Sequence, residues 1–287
     1  MTERVTALRN ALIDGLVSRQ VIRSPAVEAA MRAVPRHHFA PWLSLEDAYF
    51  DDSFLLPEAT AQAPATISQP TAVAAMLEAF DLHPGLRVLE IGAGSGYNAA
   101  LMAELVGPTG SVVTVDLEAS IVEAARPRLA HYANVQVIHG DGADGWAPGA
   151  PYDRIVATVG AWDVPPAWAE QLAPEGKLVF PLHLGGESEE HVLISLRKDG
   201  PILVGAGLLA LGMVLMRGAS SAAGHAGAAP AQDGERWSGA PADELIVTVY
   251  PHGTPHDLAP DEKLIDKPSA RIVLRHRYAT SRFTLGK

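Results

Sequence analysis

Apolar residues recur at helical spacing in the first eighty residues, which predicts three amphipathic helices. The apolar face of the first helix comprises Val5, Leu8, Leu12 and Leu16. The second helix is expected to open at Ser24-Pro25, because serine caps helices and proline suits a first turn, and to end near Pro35. The third follows Pro70, and residues 36–69 are expected to be irregular.

From residue 86 the pattern changes to short apolar runs that alternate with helical segments. The predicted strands are 87–92, 111–117, 135–140, 152–160, 177–182 and 191–198, and the predicted helices are 97–106, 118–132 and 165–172. Strands that alternate with helices are typical of a parallel sheet covered on both faces. The pattern therefore predicts a doubly wound, Rossmann-like α/β fold, in which ligands bind beyond the carboxyl ends of the strands.

The last third of the chain differs in composition. Residues 201–216 are apolar but contain glycines, and we expect a buried strand and turn there. Small residues dominate 218–235, which predicts a flexible loop reaching about residue 240. Runs at 244–250 and 270–277 predict a small C-terminal β extension. The expected parts are an N-terminal helical region (1–80), a Rossmann-like core (81–200) and a C-terminal extension (201–287).

Composition narrows the class of protein. The 287 residues are 48% hydrophobic and carry a formal net charge of −11, with no cysteine. An acidic chain is a poor candidate for nucleic-acid binding, which depends on neutralising phosphates. The charged N-terminus is unlike a signal peptide, and no apolar run reaches the ~20 residues that span a membrane. We expect a cytoplasmic protein that binds neither nucleic acid nor membrane. The eleven histidines offer no convincing set of metal ligands, so we predict no metal site.

The segment LEIGAGSGYNAA (89–100) places three glycines directly after the first strand of the predicted sheet. A dinucleotide fingerprint would have its third glycine at position 97, which is Tyr97 here. The pattern is instead an acidic residue followed by three alternating glycines, namely Glu90, Gly92, Gly94 and Gly96. Such glycines bring the backbone close to an amino-acid tail and a ribose, and no pyrophosphate needs to be held.

Acidic residues follow the next two strands. Asp116 ends the second strand, where a carboxylate accepts charge-assisted hydrogen bonds from vicinal ribose hydroxyls. Asp141 follows the third strand and can accept from an adenine amino group. Each residue has an alternative role when it is considered alone: Asp116 is as well explained as a helix cap, and Asp141 as a turn residue. Together the three strand ends indicate S-adenosyl-L-methionine, with S-adenosyl-L-homocysteine as product. The predicted cofactor residues are Glu90, Gly92, Gly94, Gly96, Asn98, Asp116, Leu117, Asp141 and Gly142.

Two further groups of residues have alternative roles. Val159 and Trp162 follow the fourth strand and are predicted to edge the pocket on the substrate side. Trp162 either stacks on the substrate or fills the core. Asp51 and Asp52 are interpreted as a solvated or capping pair.

Specific motifs resemble the protein-L-isoaspartate (D-aspartate) O-methyltransferase family over roughly residues 20–200. They are ATISQP (65–70), VLEIGAGSGYNAAL (88–101), VIHGDGADG (137–145), APYDRIVATVGAWDVPPAW (150–168) and GKLVFPL (176–182). The general repair enzymes of the family are shorter, and usually have small residues where Trp162 stands. With GMVLMRG (212–218), these departures look like the FxLD-system branch, which is associated with lanthipeptide-type modified peptides.

The resemblance implies a substrate and a catalytic residue. It implies methylation of an aspartate in a ribosomally made precursor peptide, whose ester collapses to an aspartimide. Ser68 matches the family position whose hydroxyl lies near the methyl donor and the attacking carboxylate, while Thr66 and Ile67 would present backbone groups to the substrate. Ser68 is alternatively a helix cap. Three other functions stay open: repair of isoaspartyl-containing proteins, a non-catalytic module that binds the cofactor or a peptide, and methylation of a small molecule, which the resemblance around Ser68 disfavours.

Overall fold

The computed structural model describes residues 2–183, 190–212, 214, 216–217, 245–251, 262–266 and 270–276. The chain forms two compact units, Met1–Gly140 and Asp141–Lys287. The flexible loop predicted at about 218–240 lies outside the described residues.

The first unit contains the N-terminal helices and the first three strands of the predicted sheet. Its helices are α1 (Thr2–Ser18), α2 (Pro25–Ala33), α3 (Leu45–Ala48), α4 (Pro70–Phe80), α5 (Tyr97–Val106) and α6 (Ala119–Leu129). Its strands are β1 (Phe54–Leu55), β2 (Thr66–Ile67), β3 (Arg87–Ile91), β4 (Ser111–Asp116) and β5 (Val135–His139). Strands β3, β4 and β5 pair in parallel, in that order, as the alternation of strands and helices predicts.

Local chemistry explains where two of these helices begin. The hydroxyl of Ser24 accepts a hydrogen bond from Val27 N at 3.3 Å, and α2 opens at Pro25 as predicted. The α5 helix begins at Tyr97 and ends at Val106, also as predicted. Both predicted helix starts are confirmed: a serine cap and a first-turn proline mark the start of α2, and α5 directly follows its N-cap Gly96.

The prediction that residues 36–69 are irregular is wrong. The segment contains α3, which Ser44 caps by accepting from Asp47 N at 3.1 Å. It also contains the antiparallel pair β1–β2, with Phe54 opposite Ile67. Elements of two to four residues are too short to show a hydrophobic period, so the pattern along the chain gave no signal for them.

The second unit continues with strands that are at first parallel and then antiparallel. Its elements are β6 (Tyr152–Ala157), α7 (Pro166–Gln171), β7 (Leu172–His183), β8 (Glu190–Asp199), β9 (Ile202–Gly212), β10 (Leu245–Pro251), β11 (Glu262–Asp266) and β12 (Ala270–His276), with short 3₁₀ turns at Gly142–Asp144 and Ala147–Gly149. Strands β6 and β7 are parallel. From β7 the spatial order runs β8, β9, β10, β12, β11, and every neighbouring pair is antiparallel.

The C-terminal extension is larger than its pattern indicates. The predicted runs at 244–250 and 270–277 correspond to β10 and β12, while β11 was not predicted. β10 pairs with β9, so the extension continues the antiparallel part of the sheet. The connections between β7 and β8 and between β8 and β9 are six and two residues long, which accounts for the switch, because parallel pairs need a crossover connection of a dozen or more residues.

The residues described above contain neither a membrane-spanning helix nor a metal-binding cluster. None of their helices combines the length and hydropathy needed to cross a bilayer. Their His, Asp and Glu side chains form no group of three or more suited to a metal ion.

Candidate active site

The glycine loop leaves β3 through backbone conformations that favour glycine. Gly92, Gly94 and Gly96 have φ angles of 97°, 50° and 87°. Gly92 N donates to Val115 O at 2.8 Å, and Gly96 is the N-terminal cap of α5. A Cβ on Gly96 would lie 3.0 Å from Leu129 Cδ1, so a side chain there would also crowd Leu129.

Asp116, at the end of β4, binds the glycine loop directly. Its Oδ2 accepts from Gly94 N and its Oδ1 from Glu118 N, both at 3.1 Å. The N-cap of α6 is Glu118, so Asp116 does not serve as that helix cap. Next to it, the Leu117 carbonyl lies 3.1 Å from His139 Nε2. Both predicted cofactor residues therefore lie in a loop whose backbone is held in place.

Tyr97 fills the place where a dinucleotide enzyme has its third glycine. Its ring is buried, 5.7 Å from that of Phe39, and Arg36 Cζ lies 5.1 Å from its centroid. Burial lowers the pKa of Arg36 to about 10 and raises that of Tyr97 to about 12. Arg36 was not among the predicted residues. Its position in the aromatic-containing run VPRHHFAP (34–41) is the one feature of the sequence that indicates a contact with an aromatic ring.

The segment with Ser68 lies beside the glycine loop. A Cβ on Gly94 would be 3.5 Å from the carbonyl oxygen of Thr66 in β2, while Ile67 is buried and Ser68 half-buried. The N-cap of α4 is Gln69, not Ser68. The capping alternative for Ser68 is therefore wrong. Within the first unit, the fold brings the segment 66–68 next to the same loop that Asp116 binds.

In the second unit, a turn follows β5 and contains Asp141 and Gly142. Asp141 Oδ1 accepts from Ala143 N at 2.9 Å, so this carboxylate does cap the turn, as its alternative reading allows. Trp168 Nε1 donates to Gly142 O at 2.8 Å. The side-chain oxygen of Gln171 accepts a hydrogen bond from a backbone N–H just after this turn. Trp168 and Gln171 were not predicted, and their contacts cross about 26 residues of sequence.

Trp162 belongs to a cluster of aromatic side chains after β6. Its half-buried ring stacks on His183 with centroids 4.7 Å apart, and the His183 ring lies 5.3 Å from that of His191. Both histidines are buried. Val159, the other predicted substrate residue here, is half-buried. The ring of Trp162 is thus neither fully exposed nor enclosed in the core.

The C-terminal extension reaches this cluster through its backbone. Gly160 N donates to Val214 O at 2.8 Å, and Met216 N donates to Gly160 O at 2.7 Å. A Cβ on Gly160 would lie 2.2 Å from His191 Nε2, so glycine leaves the space that the imidazole occupies. Residues of the GMVLMRG motif therefore lie directly beside the end of β6.

A family model for protein-L-isoaspartate(D-aspartate) O-methyltransferases matches residues 7–208. The chain belongs to this family. It is 45% identical over 197 residues to the protein-L-isoaspartate O-methyltransferase of Methanopyrus kandleri, which covers 68% of this chain and 84% of that protein. The corresponding protein of Methanothermobacter thermautotrophicus is 43% identical over 188 residues, covering 65% and 84%.

Solved structures agree with this assignment. One protein-L-isoaspartate O-methyltransferase structure has a TM-score of 0.68 at 33% identity, covering 74% of this chain and 67% of that chain. A Plasmodium falciparum structure in complex with S-adenosyl-L-homocysteine has a TM-score of 0.62 at 22% identity, covering 73% and 98%, and bears on the fold alone. The protein is thus a Rossmann-like, S-adenosylmethionine-dependent methyltransferase, which confirms the predicted fold class and cofactor.

The residues of the first unit fit this cofactor. Asn98 Nδ2 donates to Glu90 Oε1 at 2.8 Å, while the buried Glu90 Oε2 accepts no hydrogen bond from the residues described. Burial raises the pKa of Glu90 to about 7, although the nearby Thr114 hydroxyl and the Asn98 amide favour the ionised form. Buried acceptors are normally satisfied, and the amino group of S-adenosylmethionine is a suitable donor.

Proposed function

We propose that this methyltransferase transfers a methyl group to the free carboxylate of an aspartyl or isoaspartyl residue in a peptide. The observation that carries the proposal is the placement of the segment 66–68 against the glycine loop, with the Thr66 carbonyl beside Gly94. Because Gln69 is the N-cap of α4, the Ser68 hydroxyl is not committed to that helix. It is suited to meet a substrate carboxylate next to the methyl donor.

The chain has little proton chemistry to perform. A side-chain carboxyl with a pKa of about 4 is already ionised at neutral pH, so its attack requires no protein base. When bound, S-adenosylmethionine would supply an electrophilic methyl group. The glycine loop, Glu90 and Asp116 would hold this cofactor. Ser68 donates a hydrogen bond to the carboxylate, worth about 1 kcal/mol and more for a charged acceptor. Thr66 and Ile67 orient the peptide backbone, and orientation and exclusion of water supply the rate enhancement.

The ester then closes to a five-membered ring without the enzyme. The backbone nitrogen of the following residue forms a bond to the ester carbonyl, the bond to the methoxy oxygen breaks, and methanol leaves with the amide proton. Relative to the starting peptide, the product has lost one water. The same sequence applies to a normal aspartate and to an isoaspartate.

The finer proposal is that the substrate is a modified precursor peptide of the lanthipeptide type. It is supported by the cluster of Trp162 on His183 and by the contact of Gly160 with Val214 and Met216, because the features that set this chain apart from general repair enzymes are packed together there. Repair of isoaspartyl proteins is the second candidate. The 45% identity to a protein named as an isoaspartate methyltransferase favours it.

One experiment tests both levels. An isoaspartyl peptide and a ring-constrained peptide with a normal aspartate are incubated with wild type, Ser68→Ala and the control Ser53→Ala, which changes an exposed serine. Mass spectrometry follows the gain of a methyl group and then the net loss of water. We expect Ser68→Ala alone to lose most turnover while S-adenosylmethionine affinity is kept. Reaction of the isoaspartyl peptide only would reject the precursor-peptide proposal; unchanged turnover in Ser68→Ala would reject the role of Ser68.

A further inference from the structure

We infer that Asp51 is a positioning residue for methyl transfer, fixing the segment that presents Ser68 to the substrate. The inference rests on the role proposed for Ser68 and extends it to a residue with no expected contact to either reactant. Asp51 was interpreted from sequence as one of a solvated or capping pair. The structure gives it a more specific set of partners than its neighbour Asp52, which is exposed.

Asp51 binds the chain on the C-terminal side of Ser68 through three hydrogen bonds. Its Oδ1 accepts from Thr71 N at 2.9 Å, and its Oδ2 accepts from the Thr71 hydroxyl at 2.6 Å. Its backbone carbonyl accepts from the side-chain amide of Gln69 at 3.0 Å. The residues one and three positions after Ser68 are therefore both attached to Asp51.

The same short stretch of chain also binds the N-terminal side of Ser68. Phe54, three residues after Asp51, is opposite Ile67 in the β1–β2 pair. Ile67 is 2% exposed and so is held by packing as well as by pairing. Ser68 thus lies between two points, Ile67 and Gln69, that are each fixed to residues 51–54. Its hydroxyl position depends on this clamp rather than on a bond of its own to the helix.

A cation holds the Asp51 carboxylate in its ionised form. Arg19, just beyond the end of α1, donates from Nη2 to Asp51 Oδ2 at 2.8 Å. Although burial acts to raise it, the pKa of Asp51 is held below its ordinary range by the hydrogen bonds from Thr71 and Arg19. The clamp is therefore intact at neutral pH. An amide in place of the carboxylate would lose the charge and one of the two acceptor oxygens.

Displacement of a reactive group by about 1 Å can lower a rate by roughly 100-fold. Asp51→Asn is therefore expected to lower kcat by roughly 10- to 100-fold while the S-adenosylmethionine Kd changes less than about twofold. Asp52→Asn is the matched control and is expected to keep the wild-type kcat. The kcat is measured per correctly folded site, with the fraction of folded protein taken from circular dichroism. A loss confined to melting temperature, with kcat unchanged, overturns the inference.

A double-mutant cycle with Ser68→Ala decides whether Asp51 acts through Ser68, since coupled residues give non-additive effects. We expect Asp51→Asn to cause no further loss of kcat in the Ser68→Ala background. An equal loss in both backgrounds overturns the positioning role while leaving the proposed function standing. A fully active Ser68→Ala enzyme overturns the role of Ser68 and, with it, this inference.

Variants at Thr71 keep the test decisive if Asp51→Asn does not fold. Thr71→Val removes the hydroxyl that donates to Asp51 Oδ2 but keeps the backbone N–H bond, and Thr71→Ser retains both donors. We expect a lower kcat for Thr71→Val and near-wild-type kcat for Thr71→Ser. Equal kcat values for the two variants contradict the inference.

Discussion

The side-chain amide of Asn98 donates a 2.8 Å hydrogen bond to Glu90 Oε1 and so joins the strand before the glycine loop to the helix after it. Glu90 is the last residue but one of β3, and Asn98 lies in the first turn of α5. The bond closes the base of the loop that positions Gly92, Gly94 and Gly96. Its acceptor is a fully buried carboxyl, which makes the stability of the loop sensitive to pH.

The ligand-free protein is expected to lose stability as the pH rises toward neutrality. Burial raises the pKa of Glu90 from 4.5 to about 7. Because the pKa of Glu90 is higher in the folded protein than in the unfolded chain, the stabilisation linked to its protonated form is fully present below pH 4.5. It is lost as the pH rises through about 7. The difference between these two pKa values corresponds to roughly 3 kcal/mol.

Glu90→Gln removes this dependence. We expect the variant to be more stable than wild type at about pH 8, and to bind S-adenosylmethionine less tightly. Denaturant unfolding at several pH values measures the first effect, with Glu104→Gln on the exposed surface of α5 as control. Parallel pH profiles for wild type and Glu90→Gln would show that Glu90 does not titrate in this range.

Asp116→Asn should weaken binding of the product S-adenosyl-L-homocysteine by about tenfold or more, because hydrogen bonds to charged groups contribute about 1.5–3 kcal/mol. The carboxylate accepts from Gly94 and Glu118 through separate oxygens, and an amide keeps one acceptor oxygen only. Isothermal titration calorimetry measures the affinity, and Glu123→Gln on the exposed face of α6 serves as control. Equal affinities for Asp116→Asn and wild type would remove Asp116 from the cofactor site.

Two glycine substitutions should change stability in opposite directions. Gly15 lies inside α1 with nothing within 4 Å of an added Cβ, so Gly15→Ala should stabilise the protein by about 0.5–1 kcal/mol. Gly96 has a φ of 87° and a Cβ there would crowd Leu129, so Gly96→Ala should destabilise it by roughly 1–3 kcal/mol. Urea unfolding measures both. The same sign for the two variants would contradict the geometry of one of them.

The stack of Trp162 on His183 should depend on ring shape rather than on imidazole chemistry. His183→Phe keeps an aromatic ring beneath Trp162, whereas His183→Ala leaves a gap in a buried site. We expect the peptide KM to rise for His183→Ala and to stay near wild type for His183→Phe. Steady-state kinetics with the ring-constrained peptide measure it. Equal KM values for the two variants would show that the stack does not shape the substrate site.

Much of the parallel part of the fold was predictable because its signals are local. Helix α5 spans the predicted residues 97–106 because a glycine stands at each end of it, Gly96 as the N-cap and Gly107 as the C-cap. The three alternating glycines and the acidic residues after successive strands indicated the cofactor. These features depend on residues that lie within one element and the turn that follows it.

The role of Asp51 was not predictable in this way. Its bonds to Thr71 cross 20 residues of sequence, and nothing near Asp51 distinguishes it from Asp52. The stack of His183 beneath Trp162 and the pairing of β10 with β9 likewise join distant positions. The sequence by itself determined the longer helices, the parallel strands and the chemistry of the cofactor loop, because period, caps and turns act between near neighbours. Only the tertiary structure decided which side chains hold the segment around Ser68, because such contacts depend on the path of the chain.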